Sequence, residues 1–280
     1  MKTLSASALE NIRRRQTDLL WSGCIREIVM SGERSRGARA ETLIPGDLSG
    51  TLMWADIDYG YAGSDRSRWR PAEHFYRLSE VLYYEGRERL ATDAAYREKI
   101  VMALRFWILH DFRNDNWWHN DIGMPIHMAD LALMTEEYLP PDVRDGLVAL
   151  AARGSAKTRS DVEKWTGANL IWGMQTTVKH ALLTHDAALL VRAVRRVAQE
   201  MSVGTEGIRA DGAFCQHGNR WYSGGYGVSF TFDMAQLVYL FSGSELAFAT
   251  ERVEVLLHLG GRAVCEYVLR FPRVSDGAGR

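Results

Sequence analysis

From Pro71 onward, apolar residues recur at helical spacing in one segment after another, and no stretch outside the connections alternates with the period of a strand. That restricts the chain to an all-α fold assembled from helical hairpins. Pro71 suits the first turn of a helix running to about Gly86, and Ala94 to Phe112 holds so dense an apolar run that it reads as a helix buried on every side. Further helices are expected at about 125–138, at 142–153 after Pro140-Pro141, at 168–184, 187–202, 229–241 and 249–270. Ahead of them, Ser7 and Glu10 have the spacing of a capping box and open a helix through Trp21 to Met30. Helices apolar all round, alternating with amphipathic ones, fit two concentric layers better than a four-helix bundle. The expected architecture is an α/α toroid, one domain over 1–280, with the polar loops at 31–70, 111–124, 155–168 and 203–228 gathered into a cleft at one end.

Composition removes several functions. The chain is 46% hydrophobic and 25% charged, and its net charge of −1 gives no bulk attraction to nucleic acid or to an anionic membrane. No stretch reaches the roughly 18 uninterrupted apolar residues of a membrane span, and the first residues carry no apolar leader, so the chain reads as soluble without an export address. Cys24, Cys215 and Cys265 are odd in number and form no CxxC pair, which reads as free thiols rather than a disulfide framework or zinc site. Asp56 and Asp58 lack the other ligands of a calcium loop and read as structural carboxylates that cap helices or pair with arginine.

The chemistry-bearing residues crowd into the loops. Asp211 to Gly227 packs a histidine, two tyrosines, a tryptophan and five glycines into seventeen residues, too much glycine for a helix. It is a loop or ribbon, and His217 and Tyr226 are its side chains able to move a proton. Asn116-Trp117-Trp118 stands before a glycine-proline turn; paired indoles there either stack on the apolar face of a sugar ring or pack the loop onto the helices. Trp165 to Asn169 opens the next helix, where an asparagine suits a position near the N-cap.

Taken in order, WADIDY at 54–59, the W-x-P-x-x-H from Trp69 to His74, NWWHNDIGMP at 116–125, TGAN at 166–169, and DGAFCQH followed by YSGGYG at 211–227 resemble polysaccharide lyase family 8, the hyaluronate, chondroitin AC and xanthan lyases. The five stretches spread over most of the chain. The resemblance implies the family's catalytic α/α toroid, an acidic polysaccharide as partner, and no cofactor. It makes Asn169 the group that neutralises the uronate carboxylate, His217 and Tyr226 the proton-handling pair, and Trp117 and Trp118 the aromatic patch. Asn116, Trp165 and Tyr222, polar and aromatic residues of the same loops, join that patch as candidate substrate contacts. Gly279-Arg280 resembles the family's later G-R motif, which makes Arg280 the catalytic cation. The chain departs from the family pattern at Asp121, where a glutamate is usual, and family members continue into further helices and large β-sandwich domains that follow the stretch matched here.

The implied reaction makes physical demands of its own. Eliminating a 4-linked sugar from a uronic acid requires loss of the C5 proton, which is acidic only when the adjacent carboxylate is neutralised by hydrogen bonds or a cation. Asn169 supplies the donor, His217 assists, and the developing enolate is held as an oxyanion is. Tyr226 takes the proton and returns one to the leaving oxygen; since an ordinary tyrosine has a pKa of about 10, a neighbouring positive charge, from Arg280 or a protonated His217, must lower it. Two alternatives stay open. A glycoside hydrolase on an α/α barrel needs two carboxylates about 5–9.5 Å apart, for which Asp121 and Asp211 are the candidates in the aromatic loops. A toroid or fragment that only binds polysaccharide needs neither.

Overall fold

The computed structural model describes residues 4–23, 53–54, 56–60 and 70–261; Trp69, Arg280, Cys24, Cys265 and the end of the helix expected at 249–270 lie outside them. The chain divides into two compact units, Arg13–Arg153 and Met1–Ile12 with Gly154–Arg280. The N-terminal helix α1 spans Ala6–Trp21. Its cap is Ser5, whose hydroxyl accepts from the Ala8 N–H at 3.1 Å; Ser7, expected to cap it, lies inside the first turn.

In the first unit α2 (Glu73–Thr92) pairs with α3 (Ala94–His110), and α4 (Met124–Thr135) packs against α5 (Pro141–Ala152). Gly86 does not end α2, as its residue type suggested, but breaks it with φ +80 before the helix resumes. Asp93 then starts α3 by accepting from the Tyr96 N–H at 3.0 Å. The expectation that α3 is buried all round is corrected here. Only Tyr96, Ile100, Ala103, Leu104, Phe106 and Trp107 are buried, while Glu98, Arg105 and Leu109 share the opposite face, where Leu109 is 61% exposed. The helix with no polar face is α4, all twelve of whose residues are buried.

WADIDY and the histidine of W-x-P-x-x-H meet here, and their job is structural. Tyr59 Oη lies 3.0 Å from His74 Nδ1, while His74 Nε2 lies 3.0 Å from the Ala103 carbonyl of α3. The carbonyl can only accept, so Nε2 carries the proton and Nδ1 accepts from the phenol. Asp56 takes a two-pronged grip from Arg77 of α2, one arm at 2.8 Å, and Asp58 closes a tight turn by accepting from the Gly60 N–H at 3.0 Å. Asp56 thus pairs with arginine as expected, whereas Asp58 holds a turn rather than a helix cap or an arginine.

Burial pushes the His74 imidazole down from 6.5 to about 3. Between those values the unfolded chain binds a proton that the folded chain refuses, so the stabilisation is complete above 6.5 and is lost as pH falls toward 3. Melting temperature should therefore drop across this window, and less steeply in His74→Phe. Tyr59→Phe strands the imidazole acceptor and should cost about 1–3 kcal/mol at neutral pH, read by denaturant unfolding; an unchanged midpoint would contradict this account.

The second unit is built on α6 (Gly167–Leu183), every residue of which is buried except Asn169. It packs against α7 (Ala187–Glu200) and α8 (Tyr226–Phe241), with α9 (Thr250–His258) against α8. The amphipathic α7 turns Leu189, Leu190, Ala193, Val194 and Val197 inward. Between α7 and α8 the glycine-rich loop folds as a small antiparallel sheet, β1 (Gly207–Ile208), β2 (Phe214–Gln216) and β3 (Arg220–Trp221), in register Ile208 with Phe214 and Cys215 with Trp221. Cys215 is a buried free thiol whose pKa burial raises, as suits a packing residue rather than a nucleophile.

Candidate active site

The β2–β3 hairpin and the start of α8 bring three of the expected residues together. The chain turns sharply at His217 and Gly218, both in the left-handed region with φ of 58 and 82. It then returns through Arg220 and Trp221 to Tyr222, whose carbonyl accepts from the N–H groups of Gly225 at 3.3 Å and Gly227 at 2.9 Å. That carbonyl is the device that starts α8 at Tyr226, three residues earlier than the apolar spacing from Ser229 predicted. Gly227 belongs there for lack of space, since an added Cβ would lie 3.0 Å from Phe214.

His217 Nε2 stands 3.1 Å from Tyr226 Oη, and the two rings meet edge to face at 5.2 Å. Tyr222 closes a triangle, with its ring 5.2 Å from Tyr226 and 6.1 Å from His217. Below, the Trp172 ring lies 5.7 Å from Tyr226 while its N–H donates to Asp233 at 2.8 Å, so a buried carboxylate fixes the indole against which the phenol rests. Neither Trp172 nor Asp233 was singled out in the sequence. They are helix-interior residues of α6 and α8 whose pairing no spacing reveals.

Asn169 sits in the first turn of α6, partly exposed, with its Oδ1 buried and accepting no hydrogen bond among the described residues. It is not the cap it resembled: the first free N–H groups of α6 are met by distant side chains, Gly167 by Glu200 at 2.6 Å and Ala168 by Gln216 at 2.9 Å. Gln216 directly precedes His217, so the turn of Asn169 is tied to the hairpin of His217 through one buried amide. Trp165 is half-buried, its ring 3.2 Å from where a Cβ on Gly173 would sit and 5.4 Å from the Arg159 guanidinium. Asp211 is exposed and closes a turn by accepting from the Ala213 N–H at 3.0 Å.

In the other unit, the expected loop at 111–124 is helical from Trp117 onward. Asn116 starts it, accepting from the Trp118 N–H at 3.1 Å, and a π-helical turn His119–Gly123 leads into α4. Asn114 and Asn120 hold the approach together, the Asn114 N–H donating at 2.9 Å and the Asn120 amide returning a bond at 2.6 Å. Trp117 is 45% exposed. Trp118 is half-buried against Gly123, where an added Cβ would stand 2.9 Å from the indole. Asp121 lies half-buried within the π-helical turn. No helix among the described residues is long and apolar enough to cross a membrane.

Residues 37–267 match the model of polysaccharide lyase family 8, N-terminal alpha-helical domain. Chondroitinase-AC of Pedobacter heparinus is 27% identical over 207 residues, covering 72% of this chain and 29% of that protein. Hyaluronate lyase of Thermasporomyces composti is 26% identical over 232 residues, covering 79% and 28%. The chain thus spans less than a third of either relative. Among solved structures, a chondroitinase AC lyase studied in oligosaccharide complexes superposes with a TM-score of 0.72 at 23% identity, covering 94% of this chain and 37% of that one. The all-α hairpin class expected of an α/α toroid is the fold this chain shares with it.

Proposed function

Since the chain belongs to polysaccharide lyase family 8, whose N-terminal helical domain its residues 37–267 match, we propose that it supplies the catalytic groups of a lyase that cleaves a uronate-containing acidic polysaccharide by β-elimination. The observation that carries this reading is the 3.1 Å approach of His217 Nε2 to Tyr226 Oη on a hairpin tied to the turn of Asn169. The Asn169 amide donates to the uronate carboxylate, which lowers the cost of negative charge at C5. Tyr226 removes the C5 proton, the electron pair forms the C4–C5 double bond, the C4–O bond breaks, and the leaving oxygen is protonated from Tyr226. The imidazole, within hydrogen-bonding distance, exchanges a proton with the phenol or donates to the phenolate. The positive charge that favours the phenolate is assigned to Arg280, which lies outside the described residues, or to a protonated His217.

Elimination leaves fragments lighter by one water than hydrolysis does, with a double bond at the new non-reducing end. Mass spectrometry of digests of hyaluronan, chondroitin and xanthan tests the reading. Products lacking a water support it, and products of hydrolytic mass overturn it.

Trp117 and Trp118 serve as sugar contacts in this reading, with unequal weight. Trp117→Ala should weaken polymer binding by about 1–3 kcal/mol, in line with aromatic stacking on flat ligands, at unchanged melting temperature. Trp118→Ala, which empties the space against Gly123, should lower the melting temperature as well. Calorimetric titration and thermal melts of the two variants separate the effects; equal losses of stability in both would assign Trp117 to packing instead.

A further inference from the structure

Around the hairpin turn lies a hydrogen-bond network made by Glu206, Gln216 and backbone N–H groups. Glu206 receives three hydrogen bonds: the Gln216 amide at 2.8 Å and the His217 N–H at 3.0 Å on one oxygen, and the Gly218 N–H at 3.1 Å on the other. Successive N–H groups in left-handed backbone form a concave anion seat, and here the anion is the chain's own carboxylate. That seat matters because His217 has φ 58, a conformation that a residue with a Cβ adopts only where its surroundings hold it.

Gln216 carries the constraint onward. Its Oε1 accepts from the Ala168 N–H at 2.9 Å while its Nε2 donates to Glu206, and only this orientation of the amide satisfies both, since an N–H cannot accept and a carboxylate cannot donate. The side chain is 2% exposed, so no rotation into solvent relieves a mismatch. We infer that Glu206 and Gln216 form a positioning clip: the carboxylate holds His217 in its left-handed turn toward Tyr226, and the buried amide sets that hairpin against the helix turn of Asn169. Neither residue touches the reacting atoms. The clip rests on the elimination reading only for its effect on turnover; its geometric content stands apart.

Both parts are tested with Glu206→Gln and Gln216→Glu, which keep size and reverse one donor or acceptor. Amide hydrogen exchange at His217, Gly218 and Ala168, with the nuclear Overhauser contact between the His217 and Tyr226 rings, reads the geometry without any substrate. In Glu206→Gln, exchange at His217 and Gly218 should accelerate by about tenfold or more and the ring contact should fade. Gln216→Glu sets two carboxylates against each other, so its ring contact should fade at neutral pH and return under acid, a reversal that simple loss of packing does not produce. Unchanged exchange and an intact ring contact in Glu206→Gln overturn the clip, whether or not Gln216→Glu folds. On the uronate polymer turned over by the wild-type chain, kcat should fall about 100-fold, the scale of a small misplacement, with KM within about threefold; an unchanged kcat where the ring contact is lost also overturns it. A wild-type chain that forms no unsaturated product while exchange and ring contact respond as expected refutes the elimination reading and leaves the clip standing.

Discussion

Replacing Tyr226 by phenylalanine should abolish formation of unsaturated product, by a factor of at least about 100 to 10,000, the range that a positioned acid–base group contributes, while polymer binding stays close to that of the wild-type chain. The substitution removes one oxygen. The ring keeps its contacts with Tyr222, His217 and Trp172, and the backbone of α8 still begins under the Tyr222 carbonyl. A folding defect therefore does not account for lost turnover, and the melting temperature should be unchanged. His217→Ala should be similarly damaging but less cleanly so, because it also alters a residue with left-handed backbone. Turnover by Tyr226→Phe at more than a few per cent of the wild-type rate would move the role of base elsewhere, with Tyr222, 5.2 Å away ring to ring, as the next candidate.

The largest expected effect on stability is at Gly167. Its φ is +57, and an added Cβ would lie 2.3 Å from Gln216 Oε1 and 3.0 Å from its Cδ. Gln216 cannot withdraw without giving up its bonds to Ala168 and Glu206, so backbone strain and overlap act together. Gly167→Ala should cost about 2–5 kcal/mol, a large share of the stability of an ordinary domain. Gly86→Ala makes the control: its φ of +80 and ψ of 164 form a conformation essentially reserved for glycine, but nothing lies within 4 Å of the added Cβ, so only the backbone is penalised, by about 1–3 kcal/mol. Denaturant unfolding of both variants checks the difference. A Gly167→Ala loss no larger than that of Gly86→Ala would mean that Gln216 yields freely.

The contrast between these positions shows which parts of the molecule are readable in the sequence. Helices α4, α6 and α7 follow from the spacing of their apolar residues, because a helix must bury one stripe or all of its surface and the pattern of burial is local. Helix α3 misled for the same reason: nine apolar residues within 100–109 outweighed Glu98 and Arg105, which lie two turns apart on one face together with Leu109. The starts of α8 and of the helix at Trp117 were hidden because their N-terminal partners are the Tyr222 carbonyl and the Asn116 side chain, not an apolar repeat. His217 and Tyr226 stood out by residue type, and the structure brings their side chains into contact. The clip did not stand out. Glu206, Gln216 and Ala168 are separated by 10 and 48 residues along the chain, and a hydrogen-bond network between such positions leaves no periodic trace.

The most direct measurement of the central claim is ultraviolet absorbance of the conjugated C4–C5 double bond, followed together with reducing ends while the chain is incubated with hyaluronan, chondroitin or xanthan. Elimination at the His217–Tyr226 pair predicts that both signals rise in step for the wild-type chain and that both stay flat for Tyr226→Phe. Reducing ends that appear without the absorbance, or absorbance that persists in Tyr226→Phe, would contradict it.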